Sequence, residues 1–240
     1  MENNFQSHHV KNLNQNFITR DSKFRFRCTE CGDCCRNKKL DDMILLTTID
    51  LYRLCRVLDM ETTDAVRKYC DMIPGRESML PLLVMKQHLD GSCIFLKKGR
   101  CTVHDGKPLI CTMYPLGRIS LLNEERGEHE YHYFLKDFKS EGCRAADDEE
   151  YSVDEWLGKY NIEQYDECSR LYARLGNACS KLMHSLSTDE QRREMFTTSF
   201  FMMFLKYDRN EPLQEQLETN LAYVQSLKPE LFFEKRTVKS

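Results

Sequence analysis

From Phe26 to Leu40 the chain reads FRCTECGDCCRNKKL, which puts Cys28, Cys31, Cys34 and Cys35 within eight positions. Thiols this dense must be bridged, bound to metal or open to oxidation, so this cluster constrains the fold more than any nearby apolar pattern. A C-x2-C step turns the backbone on itself and lets two sulfurs converge. A third cysteine at the same interval wraps three sulfurs around one point. Bacterial iron–sulfur runs begin this way and take a further ligand from elsewhere. Zinc sites built from cysteine more often pair one C-x2-C with a distant second one. No second C-x2-C occurs here, so the spacing tilts toward an iron–sulfur cluster while leaving zinc open. Adjacent side chains diverge on a strand and on a helix, so Cys35 is expected to serve a second centre or a bridge.

The other cysteines divide by their surroundings. Cys55, Cys70, Cys168 and Cys179 fall on apolar i, i+3, i+4, i+7 rows, such as Leu51, Leu54, Cys55 and Leu58. Such rows mark the buried face of a helix, where a free cysteine acts as a small hydrophobe. Cys93, Cys101 and Cys111 lie in GSCIFLKKGRCTVHDGKPLICTMYPLGR, and Cys143 in SEGCRAADDEE, both punctuated by turn formers. CIFLKKGRCTVH reads as a hairpin around Lys-Lys-Gly-Arg, bringing Cys93 and Cys101 together across its strands. Eight cysteines outside helices make two sets of four: Cys28, Cys31, Cys34, Cys35, Cys93, Cys101, Cys111 and Cys143. His104, three residues after Cys101, ranks behind all of them as a ligand. His8 and His9 belong to a loose N-terminal tail.

Composition excludes several alternatives. The 240-residue chain is 41% hydrophobic and 30% charged with a formal charge of -3, and no basic block marks a nucleic-acid or membrane surface. Its N-terminal stretch lacks the apolar core of a secretory signal. The longest apolar run, Phe200 to Leu205, is far short of the ~18 residues that span a bilayer. The expected location is the cytoplasm, where thiols stay reduced, and the expected partners are metal ions. Any protein partner is left unnamed.

The fold expected is α+β: a loop-rich cysteine-cluster domain with short strands and a hairpin, packed with several α-helices, and a helical C-terminal half. Residues 1–22 form a tail, 23–148 the metal-binding domain and 149–240 a helical region packing on it. Ser152 to Glu155 and Ser187 to Glu190 read as capping boxes, and Thr47 to Asp50 starts the helix that carries Cys55. Pro212 suits the first turn of another helix. The Met/Phe stripe at 195–205 reads as core, and DDEE at 147–150 as a solvated linker.

The residues CTECGDCC and CIFLKKGRCTVHDGKPLICTMYP resemble the YkgJ-type cysteine-cluster (CxxCxxCC) family of zinc- or iron-chelating domains. The matching positions are Cys28, Cys31, Cys34, Cys35, Cys93, Phe95, Leu96, Cys101, His104, Pro108, Cys111, Tyr114 and Pro115. Thr112 departs from the Arg of the family pattern. The resemblance implies metal chelation through the cysteines and leaves the biochemical role unassigned. The cofactor expected is an iron–sulfur cluster (4Fe-4S) or Zn2+, and the first function expected is redox or regulatory. One alternative is a structural zinc module serving protein–protein interaction. Another is a cluster-dependent transferase resembling flagellin lysine-N-methylases, although no G-x-G-x-x-G follows a strand.

Overall fold

In the computed structural model the described residues are 17–36, 43–123, 128–136, 144 and 146–232. They form seven α-helices and ten strands paired antiparallel in short sheets, an α+β fold. The chain divides into two compact units with interleaved segments: 1–36, 97–101 and 109–164 in unit 1, and 37–96, 102–108 and 165–240 in unit 2.

Unit 1 is mostly sheet. β1 (Phe17–Ile18), β9 (Glu128–Leu135) and β8 (Leu116–Asn123) form one sheet in that order, and β2 (Lys23–Arg27) pairs with β10 (Ala146–Ser152). β2 reads Lys-Phe-Arg-Phe-Arg, and its period of two buries Phe24 and Phe26 while its cations face out. The acidic stretch expected to be a linker is strand β10. Its carboxylates meet the cations of β2: Asp148 takes two bonds from Arg27 at 2.8 and 2.7 Å, and Glu150 sits 3.5 Å from both Lys23 and Arg25. Opposite charges on facing strands favour pairing over solvation as a loop.

β10 runs into α4 (Val153–Lys159), which opens on the expected Ser152–Glu155 capping box. Trp156 on α4 is the centre of this unit's core. Its ring packs edge-on against Phe24, Phe26, Tyr151 and Tyr160 at 4.9–5.6 Å, and its indole N–H donates to the Met113 carbonyl at 2.9 Å. On the neighbouring sheet Phe134 lies across Gly117, so closely that a Cβ there would sit 2.1 Å from the ring. Only a residue without a side chain fits that crossing.

Unit 2 is mostly helical. α1 (Thr48–Leu58) starts at Thr47–Asp50 as expected, closed there by a capping box, and α2 (Thr62–Tyr69) follows. The helical row expected through Cys70 ends at Tyr69, and Cys70 opens strand β4 (Cys70–Pro74). Periodicity alone cannot place that switch, because a buried residue at the end of a helix and at the start of a strand look alike. β3 (Leu45–Leu46), β5 (Pro81–Met85) and β4 form a three-stranded sheet in that order.

α5 (Asp166–His184), α6 (Asp189–Phe200) and α7 (Leu213–Ser226, with Pro212 as its N-cap) complete the unit. The cap of α6 is Thr188 with Gln191, one residue later than Ser187. α6 continues into a π-helical turn at Phe201–Leu205, where Met202, Met203 and Phe204 are buried. A π-turn disturbs the regular backbone ladder. Here Tyr207 and Asn220 bond to the Met202 carbonyl at 2.8 and 3.1 Å, Thr48 to that of Met203, and Thr62 to that of Leu205 at 2.8 Å. In the Met/Phe stripe Met195, Met202, Met203 and Phe204 are core, as its spacing predicts, while Phe196, Phe200 and Leu205 are half-buried and Phe201 is exposed. Among the described residues no helix is long and apolar enough to cross a membrane.

Candidate metal centre

β2 delivers the cysteine loop. Past Arg27 the chain passes Cys28, which is exposed, and turns through two left-handed positions, Glu30 at φ 54° and Gly32 at φ 73°. It then enters a 3-10 turn, Asp33–Cys35. Left-handed backbone is cheap for glycine, and Gly32 is the residue that swings the second half of the loop back. Cys31 and Cys35 are half-buried and Cys34 is exposed.

The 3-10 turn brings Cys34 Sγ and Cys35 Sγ to 3.8 Å. Sequence reasoning set these two apart, because regular strands and helices diverge neighbouring side chains. An irregular turn has no such constraint, and rotation about χ1 is enough to bring the sulfurs together. On a tetrahedral ion with Zn–S bonds of ~2.3 Å, two sulfurs stand ~3.8 Å apart. The soft donors and this spacing fit a thiolate-bound ion. Among the described residues no three His, Cys, Asp or Glu side chains converge to hold a metal.

Asp33 braces the turn from within. Its carboxylate accepts the Arg144 guanidinium through two atoms, Nε at 2.8 Å and Nη2 at 3.2 Å, and the Arg144 backbone N–H at 3.1 Å. Thr29 Oγ1 donates back to the Arg144 carbonyl at 3.3 Å. The Arg144 bonds foremost, then the Cys31 thiol, hold the Asp33 carboxyl well below the usual carboxylate range.

Other expected ligands sit in the same unit. β6 (Leu96–Lys97) and β7 (Arg100–Cys101) form the expected hairpin, with Lys98 at φ 49° and Gly99 at φ 79° at its tip. Positive φ at both central residues is the two-residue hairpin signature. The Arg36 guanidinium lies 3.1 Å from where a Gly99 Cβ would stand, so the tip rests beside the residue following Cys35. Cys101 is half-buried at the end of β7.

Cys111 is half-buried in a five-residue helix, α3 (Leu109–Met113), where an irregular loop was expected. Pro108 precedes that helix and Tyr114-Pro115, a cis peptide, follows it. Tyr114 packs edge-on against Phe26 at 5.9 Å, and Trp156 bonds to Met113 while touching Phe26. The same aromatic cluster therefore holds both β2, which leads to Cys28, and α3, which carries Cys111. Burial raises the Tyr160 phenol above its ordinary value, and the nearby Cys28 adds to this.

Cys93 belongs to unit 2 and is buried. It precedes the paired hairpin strands, bridges to Gln87, and donates its S–H to Met85 Sδ at 3.3 Å. The hairpin therefore does not carry Cys93 on a strand, contrary to the expectation. His104 also lies in unit 2, in a 3-10 turn, with Nε2 3.3 Å from Lys107 Nζ. Thr112 is buried. Cys143, His8 and His9 lie outside the described residues.

The core cysteines behave otherwise. Cys55 and Cys179 are fully buried on α1 and α5, while Cys70 and Cys168 are almost so. Burial pushes the Cys55 and Cys70 thiols up to about 12 and Cys179 to about 11, and raises Cys168 as well. Sequence reasoning missed Asp33 and Arg144. Their signal was an acid inside the cysteine run and an arginine immediately after Cys143.

Residues 27–135 match the CxxCxxCC family. Its description reads "Putative zinc- or iron-chelating domain", and the matched stretch is just under half of the chain. It runs from the end of β2 to the end of β9, so it contains the CxxCxxCC loop, the hairpin and α3. Arg144 and Trp156 lie beyond it. No curated protein and no solved structure matches the chain.

Proposed function

We propose that unit 1 binds a zinc or iron ion through the thiolates of Cys28, Cys31, Cys34 and Cys35, with Cys101, Cys111 and Cys143 as the remaining candidates. The observation that carries this reading is the 3.8 Å separation of Cys34 Sγ and Cys35 Sγ, the spacing of two sulfurs on one tetrahedral ion. It supports a single ion, zinc or mononuclear iron, at that pair. Zinc would supply a redox-inert cross-link. In either case the protein's part is to turn the backbone at Gly32, hold the loop through Asp33 and keep the thiols free to deprotonate on binding.

A second reading, a 4Fe-4S cluster, is favoured by the C-x2-C-x2-C interval of Cys28, Cys31 and Cys34. Such a cluster would supply electron transfer and make a redox role available. The proposed setting is the cytoplasm, supported by described cysteines that are all thiols.

Metal and acid-labile sulfide analysis of anaerobically purified protein separates the readings. Stoichiometric zinc or iron without sulfide supports the single ion, and iron with equimolar sulfide supports the cluster. Cys31→Ser and Cys34→Ser are expected to lose the metal. Cys93→Ser, at a buried cysteine of unit 2 whose S–H donates to Met85, should retain it; metal loss there would bring Cys93 into the ligand set. Absence of any metal from the wild-type protein would end the proposal.

A further inference from the structure

Beyond the sulfurs, the geometry points to Asp33 and Arg144 as positioning residues that set how tightly the cysteine loop holds its ion. This inference rests on the metal-binding reading above and adds to it a specific non-ligand pair.

The loop needs a brace because it has little of its own. The 3-10 turn Asp33–Cys35 is three residues long and contains no buried residue, and the approach to it runs through two left-handed positions. Free in water, such a segment samples many arrangements, and fixing each residue's backbone costs conformational entropy. A metal ion that must order the loop binds more weakly by that cost, whereas a loop already held in place does not impose it.

Four contacts join Arg144 to this loop. Two come from the planar guanidinium fork and one from the Arg144 backbone N–H, all to the Asp33 carboxylate, and the fourth is Thr29 Oγ1 on the Arg144 carbonyl. The Asp33 side chain is only 12% exposed while that of Arg144 is 70% exposed, so the carboxylate is the enclosed end of the pair. A fork on a carboxylate fixes orientation as well as distance, which a lysine does not.

These contacts bracket the ligands. Thr29 follows Cys28, and Asp33 stands between Cys31 and Cys34. The three bonds from Arg144 hold the Asp33 carboxylate in its place in the loop. Arg144 lies beyond the matched family stretch, whereas Asp33 and Thr29 lie within it.

The test uses the full chain with zinc alone as the probe, titrated against a chromophoric chelator. Cobalt(II) then reports the number of bound thiolates through its sulfur-to-metal charge-transfer band. Asp33→Ala and Arg144→Ala are each expected to weaken zinc binding by about tenfold to a hundredfold, the usual effect of removing a group that orients a ligand. The double variant should be no weaker than the weaker single variant, because both residues act through one contact. The charge-transfer band of Asp33→Ala should fall at saturating cobalt, and the circular dichroism of the metal-free variants should match wild type.

Arg20→Ala is the control. It removes an exposed pair with Asp154 and Glu163 in the same unit, and should leave zinc affinity unchanged. Wild-type affinity in both Asp33→Ala and Arg144→Ala would overturn the inference while leaving the metal site standing. Additive losses in the double variant, or an equal loss in Arg20→Ala, would also overturn it. A wild-type protein that binds neither zinc nor cobalt would remove the reading and this inference together.

Discussion

Cys34 and Cys55 are the same side chain put to opposite uses. In unit 1, Cys34 stands exposed on a three-residue turn, 3.8 Å from the sulfur of Cys35. In unit 2, Cys55 is wholly enclosed on α1, and burial pushes its thiol to about 12. A thiolate is what a metal or an oxidant meets. Enclosure in an apolar core keeps the proton on and makes cysteine a small hydrophobe. An exposed turn puts the sulfur where an ion or an oxidant can reach it. What distinguishes these two cysteines is therefore enclosure: α1 buries Cys55 in an apolar core, and the turn leaves Cys34 at the surface.

The sharpest way to break that comparison is to damage both cores equally. Phe204→Ala in unit 2 and Trp156→Ala in unit 1 each remove a large, fully enclosed ring, and each is expected to cost about 3–5 kcal/mol in chemical unfolding. Their metal consequences should differ. Phe204→Ala should keep the wild-type metal content, while Trp156→Ala should lower it, because that indole ties β2 to α3. Equal metal loss in both would show that the ion depends on global stability.

A smaller effect comes from alkali. In the folded protein Cys55 and Cys70 keep their protons up to about 12 and Cys179 up to about 11, whereas in the unfolded chain thiols ionise near 8.5. A raised folded value gives stability that is full below the unfolded value and is lost as pH rises toward the folded one. Moving from pH 7 to pH 10 should therefore cost unit 2 about 2 kcal/mol per buried thiol. Trp156 is the only tryptophan and lies in unit 1, so its fluorescence reports on that unit, while the circular dichroism at 222 nm is weighted toward the helices of unit 2. The urea midpoint by circular dichroism should fall more than that by fluorescence. A larger fall in fluorescence would contradict the division.

Much of this arrangement is legible in the sequence, for reasons that can be located. Capping boxes at Thr47 and Ser152 are local hydrogen-bond patterns, and both helices begin where those residues predict. The turn of the 93–104 segment is equally local, since Lys98-Gly99 carries the positive φ a two-residue turn requires. The core reading of Cys55, Cys168 and Cys179 follows from apolar periodicity. What sequence could not supply was pairing at a distance. β10 is a strand because Asp148 and Glu150 meet Arg27, Arg25 and Lys23 more than a hundred residues away. Asp33 finds Arg144 across a similar gap. The approach of Cys34 and Cys35 was missed for a different reason: the rule for neighbouring side chains assumes regular backbone, and a 3-10 turn between left-handed residues is not regular.

The central claim, that the CxxCxxCC thiols hold an ion while the core thiols do not, is tested most directly by site-resolved alkylation. Native reduced protein would be treated with N-ethylmaleimide with and without saturating zinc, and each cysteine read by mass spectrometry. The account predicts that zinc protects Cys28, Cys31, Cys34 and Cys35, which label readily without it, while Cys55, Cys70, Cys168 and Cys179 stay unlabelled in both conditions. Unchanged labelling of the first four on adding zinc would contradict it.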